Sequence, residues 1–584
     1  MANLSKIKRE KMLEYLNKLK QINSDDENMR AITEIENALS EKKYGLVWEE
    51  HSEKVDEMLE HNIPIFVEDD KKKIVINNTG AERERETGQF NFLLEGDNLH
   101  SLKLLTKTHK GRIDVIYIDP PYNTGNKDFI YDDCFIDKTD GYSHSKWLSF
   151  MQKRLVIARE LLSDEGVIFI SIDDNEQAQL KLLCDEIFNA ENILSTHHIQ
   201  VRYDNKSLNE KNAWQPVMEY VYIYAKNKFS FSANQPYDQY DLSKFLYSIN
   251  EKSEGDEIIL GGKKVTVFRS GDWEITKNAI GNKKMLKETW ASGSVLKGNT
   301  SGKFFDNYIS KRKDIDGLSC LYKVYGIGED GLGYRYFTGP KKASSVRGKF
   351  YSGIPLDRLE ELEKGDSKKY KSITNLYDFS ADFGNIRHEG GIGFNNGKKP
   401  IKLIKMLINY HKNKNSTILD FFAGSGTTGH AVIQLNKEDG GNRKYILCTN
   451  NENNICEQVT YQRLKHIQTD LPHNLKYFKT DFISKYESEE DEKTISEKML
   501  DHIKELIELE HHIEIDNKKY IILYNEEKLD TVLRDIQQDG KIFIPSGIFL
   551  SRTQQSIIKE KNISVIDIPE YYFRNELREV GELW

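Results

Sequence analysis

The run Ile113–Ile118, IDVIYI, is almost wholly apolar and stops abruptly at Asp119-Pro120-Pro121-Tyr122. A run so short and apolar suits a strand buried on both faces, the kind that fills the interior of a parallel sheet. Proline has no N–H for the ladder and fixes its own φ, so two in succession force the chain out of the sheet as a stiff elbow. Asp119, the Pro120 carbonyl and the Tyr122 ring are thereby held at the strand's carboxyl end, where open α/β sheets bind ligands. A carboxylate, a carbonyl freed from the ladder and a flat ring facing one crevice suit an amino group carried on an aromatic system.

A strand–helix rhythm surrounds this run and sets the fold class as α/β. FLLEGD precedes a helix through NLHSLKLLTK; after the elbow come helix WLSFMQKRLVIARELL, turn SDEG and strand VIFISI, ending on Asp173 and Asp174. Adjacent strand residues face opposite ways, so these two acids read as a turn cap rather than a metal site. The alternation lapses between about Gln200 and Phe383, then resumes with a helix in KKPIKLIKMLINYHK, strand STILDFF, loop AGSGTTG and strand KYILCTN. Upstream, a helix with Met12, Leu16 and Leu19 on one face precedes short strands in IPIFVEDD and KKIVINN. Downstream, the acidic tract YESEEDEK links to an α/β tail containing KYIILYN, KIFIPS and ISVIDIP.

A chain of 584 residues is too long for one core. Its net charge of -9 means that any nucleic-acid surface must be local. One stretch offers such a surface: residues 331–353 carry Arg335, Lys341, Lys342, Arg347 and Lys349, interleaved with aromatic rings and without an acid. Composition alone fits phosphate contact with base stacking and a solvated basic loop equally well. The five cysteines show no paired spacing for a metal or disulfide framework, and neither a signal peptide nor a bilayer-spanning run is present, so a cytoplasmic protein without membrane or metal is expected.

Gly424, Gly426 and Gly429 spell GxGxxG between a strand and a helix, and Glu452 follows at the distance of a ribose-binding acid. The loop alone fits NAD, S-adenosylmethionine or a bare tight turn. A dehydrogenase, however, has no use for a rigid amino-binding elbow, so the two motifs together point to methyl transfer. DPPY with FAGSGTT resembles the motif pair of amino-methylating DNA methyltransferases, with the order of the permuted beta class. With EGDNLHSLKLL, DPPYNTGN and TNNENNICEQVTYQR added, the chain resembles the modification subunit of type III restriction-modification systems over roughly residues 90 to 175 and 394 to 463.

The resemblance implies a Rossmann-like S-adenosylmethionine-dependent methyltransferase fold, circularly permuted, with its catalytic half at 81–199 and its cofactor half at 386–480. A segment 1–80 would precede it, a target recognition domain at 200–385 would interrupt it, and a small α/β domain at 481–584 would serve dimer or partner contact. It implies methylation of N6 of a flipped adenine in double-stranded DNA, DPPY rather than SPPY favouring adenine over cytosine. In that scheme Asp119 and the Pro120 carbonyl accept the amino hydrogens, Pro121 completes the elbow and Tyr122 stacks on the base. Asp420, Phe422, Gly424, Gly426 and Thr427 belong to the cofactor set, Glu452, with Asn451 able to share its role, meets the ribose, and Asp97 accepts from the cofactor's adenine. Lys399, beside Pro400, borders the cofactor carboxylate. Asp97 is equally placed to cap the helix starting at Asn98, and Lys399 to be a surface lysine. The implied partners are DNA, a second copy in a homodimer and a helicase-nuclease restriction subunit, with no metal in the transfer step. The alternatives are a solitary regulatory adenine methyltransferase and, if the elbow is coincidental, an NAD-dependent oxidoreductase.

Overall fold

The computed structural model describes residues 12–20, 26–40, 48–76, 89–131, 134–137, 140–205, 213–291, 300–365, 367–394, 397–486, 493–515, 517–524, 526–545 and 548–583. They form two compact units, one from Gln235 to Ile373 and the other from the segments on either side of it.

The larger unit is organised by a ten-stranded sheet. In chain order its strands are β1 (Asn62–Glu68), β2 (Asn91–Glu95), β3 (Ile113–Ile118), β4 (Leu162–Ile172), β5 (Ile193–Gln200), β6 (Met218–Ala225), β7 (Leu376–Asp378), β8 (Thr417–Asp420), β9 (Lys444–Thr449) and β10 (Leu475–Ser484). Their order in space is β1-β10-β2-β9-β8-β3-β4-β6-β5-β7. From β10 to β4 every pair is parallel, whereas β6 runs antiparallel to both β4 and β5.

The parallel strands read as continuous apolar runs because both faces are covered. On one face Ile116, Ile118, Ile168, Ile170, Leu419, Ile446 and Cys448 join a core with Leu102, Leu105, Trp147, Met151, Leu155 and Leu180 from helices Asn98–His109, Ser143–Leu161 and Gln177–Phe188. The alternate residues Val115, Tyr117, Val167, Phe169, Ile418, Tyr445 and Leu447 are buried on the other face. There helix Thr427–Asp439 packs so closely that a Cβ on Gly429 would lie 3.0 Å from Leu464 and 3.1 Å from Leu447.

Some local expectations are revised. The described part of KKIVINN, residues 72–76, forms no strand; Ile74 makes a single antiparallel bridge to Leu475, beyond the Phe478–Ser484 stretch that pairs with β1. SDEG lies within β4 as an irregular stretch: the register passes from Ile113↔Leu162 to Val115↔Val167, so these residues loop out of the ladder. The helix expected from Lys398 begins at Ile401, after the prolyl N-cap Pro400, and its first N–H bonds the Glu389 carboxylate. Most of the acidic tract YESEEDEK lies outside the described residues.

In the tail, strands Tyr520–Ile522, Lys541–Pro545 and Ser564–Ile568 make a parallel sheet. One side packs Ile521, Ile542 and Ile544 on Leu529 and Leu533, and the other joins Phe543, Ile568 and Phe573 to the core of the large sheet. Among the described residues no helix is long and apolar enough to cross a membrane.

The smaller unit contains a six-stranded antiparallel sheet whose central strands include Lys263–Phe268, Leu321–Tyr325 and Tyr334–Thr338. Val265, Val267, Tyr322, Val324 and Phe337 pack with Phe304, Phe305 and Ile309 on one face. On the other, Phe268, Leu321, Tyr336 and Tyr351 are covered by Tyr247, Ile249, Trp273 and Ile275. The insert expected over 200–385 thus has its compact part at Gln235–Ile373. The flanking stretches supply β6 and β7 to the large sheet, where tertiary pairing keeps them although the strand–helix rhythm has lapsed.

Candidate active site

Strands β3 and β8 are neighbours, and the chain leaves them for helices on opposite faces of the sheet. This is a topological switch point, where the two outgoing loops part and leave a crevice. A cleft of ≈ 880 Å³ opens there, lined by the elbow Asp119-Pro120-Pro121-Tyr122 from β3 and by Phe422, Gly424 and Thr427 after β8.

The elbow is fixed from several sides. Trp147, fully buried, donates its indole N–H to the Pro121 carbonyl at 2.7 Å. Tyr122 donates its hydroxyl to Asp119 Oδ1 at 2.9 Å and lies 3.1 Å from Glu219 Oε2. Lys399 Nζ is 3.0 Å from Asp119 Oδ1 and 3.3 Å from Glu219 Oε2, and 4.9 Å from the centre of the Tyr122 ring. Beyond the elbow, buried Glu176 accepts from Asn123 and His144, both at 2.6 Å, which anchors the NTG segment.

Burial raises the Asp119 carboxyl above its ordinary value, and the Lys399 ammonium only partly offsets this. Burial by itself would lower Lys399, but Asp119 and Glu219 overcome it and hold the ammonium well above its usual range. Tyr122 is likewise pushed up by burial and by the two carboxylates, so its hydroxyl remains a donor. Lys399 therefore belongs to the elbow as a buried cation; it is neither a surface lysine nor bonded to the glycine loop.

The glycine loop is built from its own side chains. Gly424 and Gly426 adopt φ of +47° and +74°, which L side chains rarely take. A Cβ on Gly424 would find only the Phe422 carbonyl, at 3.8 Å, so the backbone there stays open. Asp420 spends both oxygens on this turn, accepting from Phe422 N–H at 3.0 Å and from Thr428 Oγ1 at 2.5 Å. Burial pushes its carboxyl up to about 7. Asp420 thus shapes the loop that carries Phe422, Gly424, Gly426 and Thr427. Gly426 caps helix Thr427–Asp439, whose first N–H groups have no intrahelical acceptor and favour a negatively charged group.

Asp97 does cap the helix at Asn98: its Oδ1 accepts Leu99 N–H at 2.7 Å and lies 3.4 Å from Arg154 Nη2. The cap engages Oδ1, and Asp97 also lines the cleft. Arg154 is fully buried, 3.1 Å from Glu53, stacked at 3.6 Å on Phe150, and bonded to Asn98. The acid after β9, Glu452, is exposed and lines the cleft, while Asn451 turns its side-chain oxygen to Glu457 N–H at 3.2 Å.

Sequence reasoning did not find Glu219, Arg154, Glu53, Trp147 or Arg463. Glu219 opens an apolar strand, MEYVYIYA, and its place follows from direction: β6 runs antiparallel to β4, so its first residues lie beside the carboxyl ends of the parallel strands. No local signal gives that direction.

In the smaller unit the basic segment divides. Lys341, Lys342 and Arg347 are exposed. Arg335 instead faces Asp330 at 3.7 Å and covers Phe350, and Lys349 pairs with Glu288 at 2.6 Å over the Trp290 ring, so both act within the sheet.

A family model described as DNA methylase matches residues 113–463. The Mod subunit of the type III restriction-modification enzyme EcoPI from Escherichia phage P1 is 31% identical over 417 residues, covering 65% of this chain and 61% of that one. The StyLTI Mod subunit of Salmonella typhimurium is 30% identical over 454 residues, 70% of this chain and 59% of that one. The type II methyltransferase M.KpnI of Klebsiella pneumoniae is 30% identical over 409 residues, 66% of this chain and 90% of that one. The chain spans about three fifths of the length of these two type III subunits.

Proposed function

This chain belongs to the DNA methylase family, and from that premise we propose that it transfers a methyl group from S-adenosylmethionine to the N6 amino group of adenine in double-stranded DNA. The observation that carries the reading is the meeting of the DPPY elbow and the glycine loop in one cleft at neighbouring strand ends. The strand order supports the finer reading of a circularly permuted methyltransferase fold, since β8, the glycine-loop strand, is central in the sheet yet follows the elbow strand β3 in the chain.

S-adenosylmethionine, when bound, supplies a methyl group on sulfur, whose S–C bonding pair returns to sulfur as the N–C bond forms. Open backbone at Gly424, the helix amino terminus at Thr427, exposed Glu452 and Asp97 suit its carboxylate, ribose and adenine. The lone pair of an exocyclic adenine nitrogen is delocalised into the ring. Asp119 and the Pro120 carbonyl, accepting the two amino hydrogens, localise it towards the methyl group, and one of those hydrogens then leaves as the proton. Tyr122 stacks on the base, which must be turned out of the duplex to reach the elbow.

The unit Gln235–Ile373 is assigned to DNA recognition, with Lys341, Lys342 and Arg347 at phosphates. Replacing Lys341 and Lys342 by alanine is expected to weaken binding to all duplexes alike and to flatten the salt dependence by about 0.9 in log–log slope for each phosphate that is no longer neutralised. Filter binding or anisotropy over a salt series measures this; an unchanged slope rejects the placement. Arg335 and Lys349, held within their own sheet, are expected to act on stability instead.

As a subunit of a type III system the chain would form a homodimer and join a helicase-nuclease subunit. Its span of 90% of M.KpnI supports a second reading, an enzyme acting without that partner. Co-purification from the source cell separates the two. The reaction itself is tested by incubation with S-adenosylmethionine and unmethylated DNA, digestion to nucleosides and mass spectrometry. N6-methyladenine is expected, N4-methylcytosine would overturn the base assignment, and no methylated nucleoside would overturn the reaction.

A further inference from the structure

We propose that Glu219 sets the charge of the transfer site, leaving the group Asp119, Glu219 and Lys399 with one net negative charge opposite a cationic sulfur ligand. This rests on the reading of the cleft as a methyl-transfer site. Glu219 comes from β6, outside both motifs, and it touches neither the elbow's backbone nor the glycine loop. It is a positioning residue that acts through Lys399, at 3.3 Å, and Tyr122, at 3.1 Å.

The need for a second carboxylate follows from the first pair. Lys399 and Tyr122 both address Asp119 Oδ1, at 3.0 and 2.9 Å. An Asp119–Lys399 pair alone is neutral overall, and its ammonium would oppose a positively charged sulfur and weaken Asp119 as an acceptor. Two carboxylates and one ammonium sum to a single negative charge. Glu219 also gives Lys399 and Tyr122 an alternative acceptor, so that Asp119 is released to an incoming amino group. In the transition state positive charge moves from sulfur onto the amino nitrogen beside Asp119, so a fixed negative charge there favours the transition state more than the bound donor.

The titratable groups facing Asp119 are Lys399, Glu219, Tyr122, Tyr117 and Asp420, with Asp173 facing Glu219. Asp119 is the stronger acceptor, and carries its charge, only when ionised, so activity falls as the pH drops through its raised pKa. The negative charge on Glu219 is one cause of that rise, so removing it moves the acid limb to lower pH.

The decisive experiment compares binding of S-adenosylmethionine with S-adenosylhomocysteine, which lacks the methyl group and the charge, in the wild type and in Glu219→Gln. The amide preserves shape and a hydrogen-bond acceptor. The preference for the charged ligand is expected to fall roughly three- to tenfold, and the single-turnover methylation rate roughly ten- to a hundredfold, with the acid limb displaced downwards and Glu219→Asp restoring most of both. Lys399→Gln, measured over a pH series, is expected to shift the ligand preference the other way at the alkaline end, and serves if Glu219→Gln does not fold. Unchanged preference in these variants overturns the proposal. A wild type that binds both ligands but methylates no DNA overturns the functional reading alone, since the binding comparison still decides the role of Glu219.

Discussion

Asp119→Ala is expected to reduce methyl transfer by about 100- to 1,000-fold while changing cofactor affinity only a few-fold. Removing one preorganised partner of a developing charge costs about that much in enzymes that rely on such groups. Here the loss removes the carboxylate that localises the amino lone pair, and the Pro120 carbonyl alone cannot orient both hydrogens. Folding should persist, because Lys399 and Tyr122 retain Glu219 as partner. Asp119→Asn keeps one carbonyl acceptor without the charge and is expected to fall between wild type and alanine. Single-turnover assays with labelled methyl donor, beside equilibrium cofactor binding, check both. Wild-type rates in Asp119→Ala would remove the elbow from the reaction.

The second large effect is expected at Arg463. Its guanidinium is fully buried and donates through Nη1 to Thr427 Oγ1 at 2.8 Å and to the Ser425 carbonyl and Oγ, each at 3.3 Å. Nη2 lies 3.5 Å from Glu389, whose carboxylate also caps the helix at Ile401. One side chain thus ties the glycine loop to the segment that presents Lys399. Arg463→Ala leaves partly exposed Glu389 with Lys398 as its remaining neighbouring cation and takes the charged donor from Ser425 and Thr427, and losing charge-assisted hydrogen bonds of this kind costs about 1.5–3 kcal/mol. Urea unfolding without cofactor is the measurement, with cofactor affinity expected to fall as well. Arg463→Lys keeps the charge but loses the planar fork, so a partial loss is expected. A change below about 1 kcal/mol, the size of an ordinary surface pair, would mean that the loop holds its shape unaided.

The elbow was legible because its chemistry is consecutive: strand, acid, two prolines and an aromatic residue occupy ten positions and need no distant partner. The glycine loop was legible for the same reason, and Gly429 has the close helix packing that such spacing implies. Asp97 was readable as a cap and as a ligand acceptor; it caps the helix through Oδ1 and also lines the cleft. Lys399 was the hardest of the named residues, because a lysine beside a proline reads alike whether it is solvated or buried. Only the fold brings Asp119 and Glu219 to it.

The sequence by itself determined the local units around the two motifs: which apolar runs there are strands, where the chain must leave the sheet, and which loops keep their backbone open to a ligand. Those properties depend on proline, glycine and apolar periodicity within a few residues. The tertiary structure alone decided which units meet. Asp119 and Lys399 are joined by an ion pair though 280 positions apart, and Glu219 reaches them only because β6 runs antiparallel to β4. The charge of the site is therefore a property of strand order and direction. Both are set by burying the two faces of one sheet, and no local pattern of residues encodes them.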